Sequence, residues 1–274
     1  MNEPLAPPRP GAAPGPGASE VVLRVEGLKL AFGEKLVQRD LNFEVRRGEI
    51  LVLMGGSGCG KSTLLRHLIG LQAPAAGRVL YQTPQGEQDL ARAGEDALNT
   101  LRSGFGVMFQ AGALWSSMSV GENVMLPLRE FSDLDDAAIE ALARFKLALV
   151  GLGHAFDLSP AELSGGMKKR AAIARALAMD PPLLFLDEPS AGLDPLTSAR
   201  LDELILNLRD HLGTSIVMVT HELDSIFAVA DRALFLDAQE KTMTALDAPT
   251  QLLHHGPANV REFLRRTPRG GAQS

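Results

Sequence analysis

One cysteine, Cys59, leaves no partner for an internal disulfide, so the fold must hold without covalent cross-links and suits a reducing cytoplasm. Long apolar runs are missing as well. No stretch approaches the roughly 18 residues of a membrane span, and the proline-rich N-terminus has no hydrophobic signal core. The chain is therefore expected neither to cross nor to enter a membrane. Excess positive charge is also lacking: a net charge of −6 argues against a broad nucleic-acid-binding surface. Residues 1–19 contain almost no bulky apolar side chains and many prolines, which predicts a disordered leader without an assignable function. What remains, with 45% hydrophobic residues over 274 positions, is long enough for one large α/β domain or two small ones.

The clearest positive signal lies at Gly55-Gly56-Ser57-Gly58-Cys59-Gly60-Lys61-Ser62-Thr63, the spacing G-x-x-x-x-G-K-[ST]. A short apolar run, Glu49 to Met54, precedes it, and leucines at helical spacing (Leu64, Leu65, Leu68) follow. A strand that feeds a glycine loop and opens a helix turns successive backbone N–H groups inward around phosphate oxygens, and the helix N-terminus adds partial positive charge. Lys61 is then placed to reach the β- and γ-phosphates, and Ser62 to ligate Mg²⁺. Cys59 reads as a small loop residue whose position before a helix favours thiolate and thiol reactivity.

A second apolar strand, Leu183 to Leu186, ends in Asp187-Glu188. At the C-terminal end of a buried strand, Asp187 can hold the Mg²⁺ hydration shell while Glu188 polarises water as general base. Taken alone, the pair reads better as a solvated turn capped by Pro189; the motifs around it reverse that reading. His221 ends the apolar run Ser215 to Thr220 and can meet the γ-phosphate or orient the attacking water. A lone histidine is more often structural; the order of motifs reverses that expectation here.

Around these motifs, apolar and alternating runs from Val21 to Val45 predict an antiparallel sheet with turns near Gly33 and Gly48. Phe32 can stack on an adenine ring or join the core. Residues 83–104 are polar and predict a surface turn plus a short helix, before a strand Gly104–Phe109 closed by Gln110. Residues 133–152 and 160–179 read as helices, strand–helix alternation resumes from Leu183 through Leu236, and Ala258–Arg266 is a short basic helix candidate. Lys168, Lys169 and Arg170 are expected on a solvated helix face. Ser164-Gly165-Gly166 opens the second helix with a hydroxyl and N–H groups that suit an anion, or with an ordinary cap.

The order P-loop, Gln110, Leu163-Ser164-Gly165-Gly166, Leu183 to Glu188, Ser190-Ala191-Gly192-Leu193-Asp194 and His221 resembles the ATP-binding cassette (ABC) ATPases over residues 20–250. That resemblance implies an α/β P-loop NTPase fold with a RecA-like core, an antiparallel β-subdomain and an α-helical subdomain at about 111–178, followed by a C-terminal helix and tail at 251–274. It implies ATP and Mg²⁺, the latter held by Ser62, Gln110 and Asp187. It also implies a head-to-tail homodimer in which Ser164 and Gly166, with Gly165 between them, reach the γ-phosphate held by the partner. Gln110 would couple Mg²⁺ and water to the helical insertion, and Asp194 would communicate between the two sites.

A narrower similarity, to the ATPase subunits of Mla-type and Mce-associated phospholipid transporters, rests on four stretches. They are Gly55 to Gly60, Phe109 to Trp115, Ser119 to Val124, and Leu163 to Ala172 with Met167 in place of the usual glutamine. Asn259 to Leu264 adds to it, while the proline-rich leader and Trp115 depart from the pattern. The resemblance implies a peripheral protein on the cytoplasmic face of an inner membrane. Its partner would be a permease dimer docked near residues 111–129, with Trp115 as candidate anchor, alongside a small regulatory subunit and no nucleic acid. Amino-acid or lipoprotein transport is the nearer alternative. Translation and repair ATPases are the more distant ones, and a non-hydrolysing regulatory subunit conflicts with the full set of catalytic residues.

Overall fold

The computed structural model describes residues 20–265; the expected leader at 1–19 and the end of the tail at 266–274 lie outside the described residues. The chain begins with β1 (Val21–Phe32) and β2 (Lys35–Arg46), which pair antiparallel, as the alternation from Val21 to Val45 predicts. Strand β3 (Ile50–Met54) delivers the P-loop to α1 (Lys61–Leu68). A hairpin of β4 (Ala76–Thr83) and β5 (Gly86–Asp89) then returns to the first sheet, giving the order β2-β1-β4-β5. The second strand of this hairpin falls where only a polar surface turn was expected, within 83–104. Its strands are disguised by polar residues at the sheet edge, whose exposed faces carry ion pairs such as Arg24 with Glu87 and Arg78 with Glu26.

Helix α2 (Glu95–Ser103) leads into β6 (Phe105–Met108), after which three helices follow: α3 (Val120–Phe131), α4 (Asp136–Leu149) and α5 (Gly165–Ala176). They pack against one another. The start of α3 is fixed by a capping box, with Ser119 and Glu122 satisfying each other's backbone N–H groups. Its internal Pro127 hides the helix from a reading by pattern. Helix α5 begins only at Gly165, because residues 160–162 form a single tight 3-10 turn. The remaining elements are β7 (Leu183–Asp187), α6 (Pro195–Leu212), β8 (Ser215–Val219), α7 (Leu223–Val229), β9 (Arg232–Asp237), β10 (Thr242–Asp247), α8 (Pro249–His255) and α9 (Ala258–Arg265).

The second sheet has the order β10-β9-β3-β8-β7-β6 and is parallel except at β10. Its central strands are apolar throughout because both faces are covered. Along β3, Leu51 and Leu53 join a core shared with the antiparallel sheet and α1, while Ile50, Val52 and Met54 join another formed with α3, α5 and α6. The same alternation divides Leu184 and Leu186 from Leu183 and Phe185 on β7. Parallel order also places the C-terminal ends of β6, β7, β8 and β3 side by side on one edge. That edge is where Gln110, Asp187-Glu188, His221 and the P-loop emerge. Among the described residues no helix is long and apolar enough to cross a membrane.

Candidate active site

A cleft of about 1640 Å³ opens over the P-loop, lined by Gly55 through Thr63 on its floor and by Glu188 and His221 at one end. Phe32, Lys35 and Val37 from the first hairpin border it too, with Lys241 and Phe263 from the C-terminal elements. Phe32 is 49% exposed, so of its two expected settings the structure gives the cleft wall and not the core. Gly55, at φ +148°, sits where any Cβ would collide with the Leu236 carbonyl oxygen, so the first P-loop position is closed to other residues.

Lys61 is buried, and its ammonium donates to the Gly55 carbonyl at 2.9 Å and the Gly56 carbonyl at 3.2 Å. The cation is thus pre-placed at the loop's mouth, with backbone carbonyls holding the place of phosphate oxygens. Ser62 Oγ donates to Asp187 Oδ1 at 3.4 Å. Burial, followed by repulsion from Glu188, pushes the Asp187 carboxyl above its ordinary range, while Ser62, Arg66 and Lys169 oppose that rise. A buried carboxylate beside a second carboxylate and a hydroxyl is an oxygen set that fits a hard divalent cation such as Mg²⁺.

Glu188 stands at the centre of the polar cluster. Gln110 Nε2 donates to its Oε2 at 3.2 Å, and His221 Nδ1 lies 3.1 Å from its Oε1. Its backbone is left-handed, at φ +47°, a conformation that costs a non-glycine residue free energy and recurs at functional positions. Three residues singled out from three separate stretches of sequence therefore meet at one carboxylate.

Ser164 and Asp194 lie apart from the cleft lining. Each caps a helix: Ser164 Oγ accepts from the Met167 N–H at 3.3 Å, and Asp194 accepts from the Thr197 N–H at 3.0 Å and from its hydroxyl at 2.5 Å. The two caps are neighbours, because a Cβ on Gly166 would come within 2.6 Å of Thr197 Cγ2. Gly166 thus lets the start of α5 approach the start of α6, whereas Gly165 has room for a Cβ.

The ABC transporter family profile matches residues 38–191. This chain belongs to the ABC transporter family. As an ABC ATPase it binds and hydrolyses ATP as the energy-supplying subunit of a transporter. It is 36% identical to the intermembrane phospholipid transport system ATP-binding protein MlaF of Haemophilus influenzae, over 89% of this chain and 90% of the relative. It is 39% identical to the probable ribonucleotide transport ATP-binding protein mkl of Mycobacterium leprae, over 89% of this chain and 69% of that one. The solved dimer of the ATP-binding cassette MJ0796, in a post-hydrolysis state bound to ADP and Pi, superposes with a TM-score of 0.73 at 27% identity. That match covers 82% of this chain and 98% of MJ0796.

Two expectations are corrected in this ABC ATPase. Cys59 is buried, and desolvation drives its thiol above the ordinary value despite nearby Lys61, so it is not an activated thiolate. Lys169 and Arg170 do not form a solvated face. Lys169 is only 8% exposed, and its ammonium donates to the carbonyls of Gln110 and Glu188, the latter at 3.2 Å; Arg170 donates to the Val150 carbonyl at 3.0 Å. Only the neighbours in space, not the helical pattern, reveal this. Gln38 was missed for the same reason. Fully buried on β2, it donates to the Cys59 carbonyl at 2.6 Å and the Asp237 carbonyl at 3.0 Å, tying the P-loop to the end of β9.

Proposed function

We propose that two copies of this chain close head to tail on two ATP molecules and so drive an attached permease that moves phospholipid, at the cytoplasmic face of an inner membrane. The observation that carries the catalytic part is the convergence of Gln110 and His221 on Glu188. Glu188 is the general base, and His221 orients the attacking water and meets the γ-phosphate. Lys61 exchanges its carbonyl partners for phosphate oxygens. Ser62 and Asp187 would hold Mg²⁺, with Gln110 completing the oxygen set; the ion, when bound, screens the charge of the phosphates. Ser164 and Gly166 of one copy face the γ-phosphate on the other, and Asp194 lies beside that contact.

The phospholipid cargo is supported by the similarity to MlaF over nearly the whole of both chains. The permease contact is assigned to residues 111–129. In that segment Val120, Val124, Met125 and Leu128 are buried, whereas Trp115 is 57% exposed. The buried Asn123 fixes the Trp115 backbone from both sides, accepting from its N–H at 2.7 Å and donating to its carbonyl at 3.1 Å. An exposed tryptophan on a rigid backbone suits an interface anchor. The name of the mkl relative supplies a second reading, a ribonucleotide-type cargo on the same motor.

The Glu188→Gln protein is expected to bind ATP without turning it over and to accumulate as a closed dimer. A monomer with full turnover under saturating Mg-ATP would overturn these roles. Capture of the tagged variant from native membranes, with mass spectrometry of bound proteins and lipids, separates the cargoes. A permease with enriched phospholipid supports the lipid reading; a permease without it discards the cargo and keeps the motor.

A further inference from the structure

We propose that Lys169 is a positioning residue for hydrolysis, a strut by which α5 holds the loops of Gln110 and Glu188 in their working arrangement. The inference deepens the catalytic reading above and rests on it. Lys169 lies five residues past the Ser164 cap, on the second turn of α5, with its largely buried side chain reaching between two loops that approach from β6 and β7. It donates to the Gln110 carbonyl and, at 3.2 Å, to the Glu188 carbonyl. Both acceptors are backbone atoms of residues whose side chains meet one another in the cluster. One cation therefore joins the two loops through their backbone carbonyls while the amide–carboxylate bond joins them through their side chains.

Burying an ammonium is costly, and burial lowers the affinity of Lys169 for its proton, with Glu188 and Asp187 opposing that fall. A side chain that served only to pack would avoid this cost; a charge-assisted donor shared by two carbonyls offsets it. Its position also matches a need. Glu188 is left-handed, and its N–H donates to the Val219 carbonyl at 2.8 Å, while its own carbonyl accepts from the Ala191 N–H at 3.2 Å and from Lys169. The strained residue is thus pinned on one side by β8 and on the other by α5. Arg175, two turns further along α5, repeats the arrangement on the segment after Gln110, donating to the Gly112 carbonyl at 3.0 Å and the Ala113 carbonyl at 2.7 Å. The segment 110–113 is clamped to α5 at two points. A shift of α5, whose first turn carries Ser164 to Gly166, is transmitted through Lys169 to Gln110 and Glu188.

The test uses full-length Lys169→Met, Lys169→Gln and Lys169→Arg beside Glu188→Gln. Steady-state ATPase kinetics is combined with equilibrium binding of a fluorescent ATP analogue and with emission from Trp115, the single tryptophan, five residues from Gln110. Lys169→Met is expected to lower kcat about 10- to 100-fold, the scale of a misplaced catalytic group, with nucleotide affinity held within about threefold because Lys61 is untouched. Its Trp115 response to Mg-ATP should be reduced. Lys169→Arg, which retains a charged donor, should restore kcat to within about threefold of the unsubstituted protein. Lys169→Gln, one atom shorter and uncharged, is the second variant should Lys169→Met not fold, with a kcat loss of at least about threefold expected. A folded Lys169→Met, or failing that Lys169→Gln, with unchanged kcat overturns the strut, as does loss of affinity in step with kcat. If Glu188→Gln itself retains turnover, the catalytic reading fails first, and the two failures are distinguished.

Discussion

Replacing Asp202 by asparagine should flatten the acid side of the stability profile. Asp202 lies on α6, and its Oδ2 accepts from Ser225 Oγ of α7 at 2.8 Å, while Oδ1 has no partner among the described residues. Its carboxyl is pushed from 3.8 up to about 6, first by burial and then by the charges of Asp224 and Glu222, against the Ser225 hydrogen bond. In the unfolded chain the same group returns to its ordinary value, so between those two limits the native state binds more protons and stability falls as pH rises. Above about pH 6 the full cost applies, ~3 kcal/mol at 1.36 kcal/mol per pKa unit. Near pH 4 most of it has been relieved. The measurement is urea unfolding of both proteins at pH 7.5 and pH 4. Any pH-independent cost of the asparagine, such as an amide N–H left without a partner, cancels in the comparison. The stability difference between Asp202→Asn and the unsubstituted protein should therefore shift by ~2 kcal/mol in favour of the variant on going from pH 4 to pH 7.5. Parallel profiles would refute the assignment of a buried, electrostatically disfavoured carboxylate to this site.

Two further outcomes are expected. Lys61→Met removes the ammonium that two P-loop carbonyls hold at the phosphate end of the cleft, so titration with a fluorescent ATP analogue should show affinity falling by about tenfold or more. Trp115→Ala deletes an exposed ring whose backbone stays fixed by Asn123; permease recovery in detergent pull-downs should fall sharply while the melting temperature moves by less than about 2 °C.

The residues that line the candidate site were legible in the sequence because a phosphate-binding loop imposes local spacing. Gly55 to Ser62 can be read from one stretch, and Asp187, Glu188 and His221 each terminate an apolar strand. The parallel sheet then performs a step no spacing encodes, setting the ends of β6, β7 and β8 beside one another so that Gln110 and His221 reach the same carboxylate. Elements whose signals conflict were not legible. Helix α3 carries Pro127, the β4–β5 hairpin is largely polar, and α8 is a seven-residue helix begun by a proline. Each is held by tertiary contacts that override its local preference.

Helix α5 shows why charge is the hardest property to place from sequence. A run of Lys168, Lys169 and Arg170 after a helix cap reads as a wet face, since isolated cations are rarely buried. Here neighbouring segments of the same chain supply carbonyl oxygens instead of carboxylates: Gln110 and Glu188 for Lys169, Val150 for Arg170, Gly112 and Ala113 for Arg175. Loop carbonyls are often left without a ladder or helix partner and need a donor, so a cationic helix surrounded by loops can be buried without an ion pair. Carbonyl acceptors also record backbone position, whereas a carboxylate at the end of a flexible side chain would follow the cation wherever it moved. The basic residues of α5 are for that reason suited to fixing loop geometry, and the segments they fix include those that carry Gln110 and Glu188. The same reasoning separates them from the pair Arg144 and Glu140 on α4, where both partners are about half exposed to solvent and the contribution of the ion pair to stability is expected to be only ~0.5 kcal/mol.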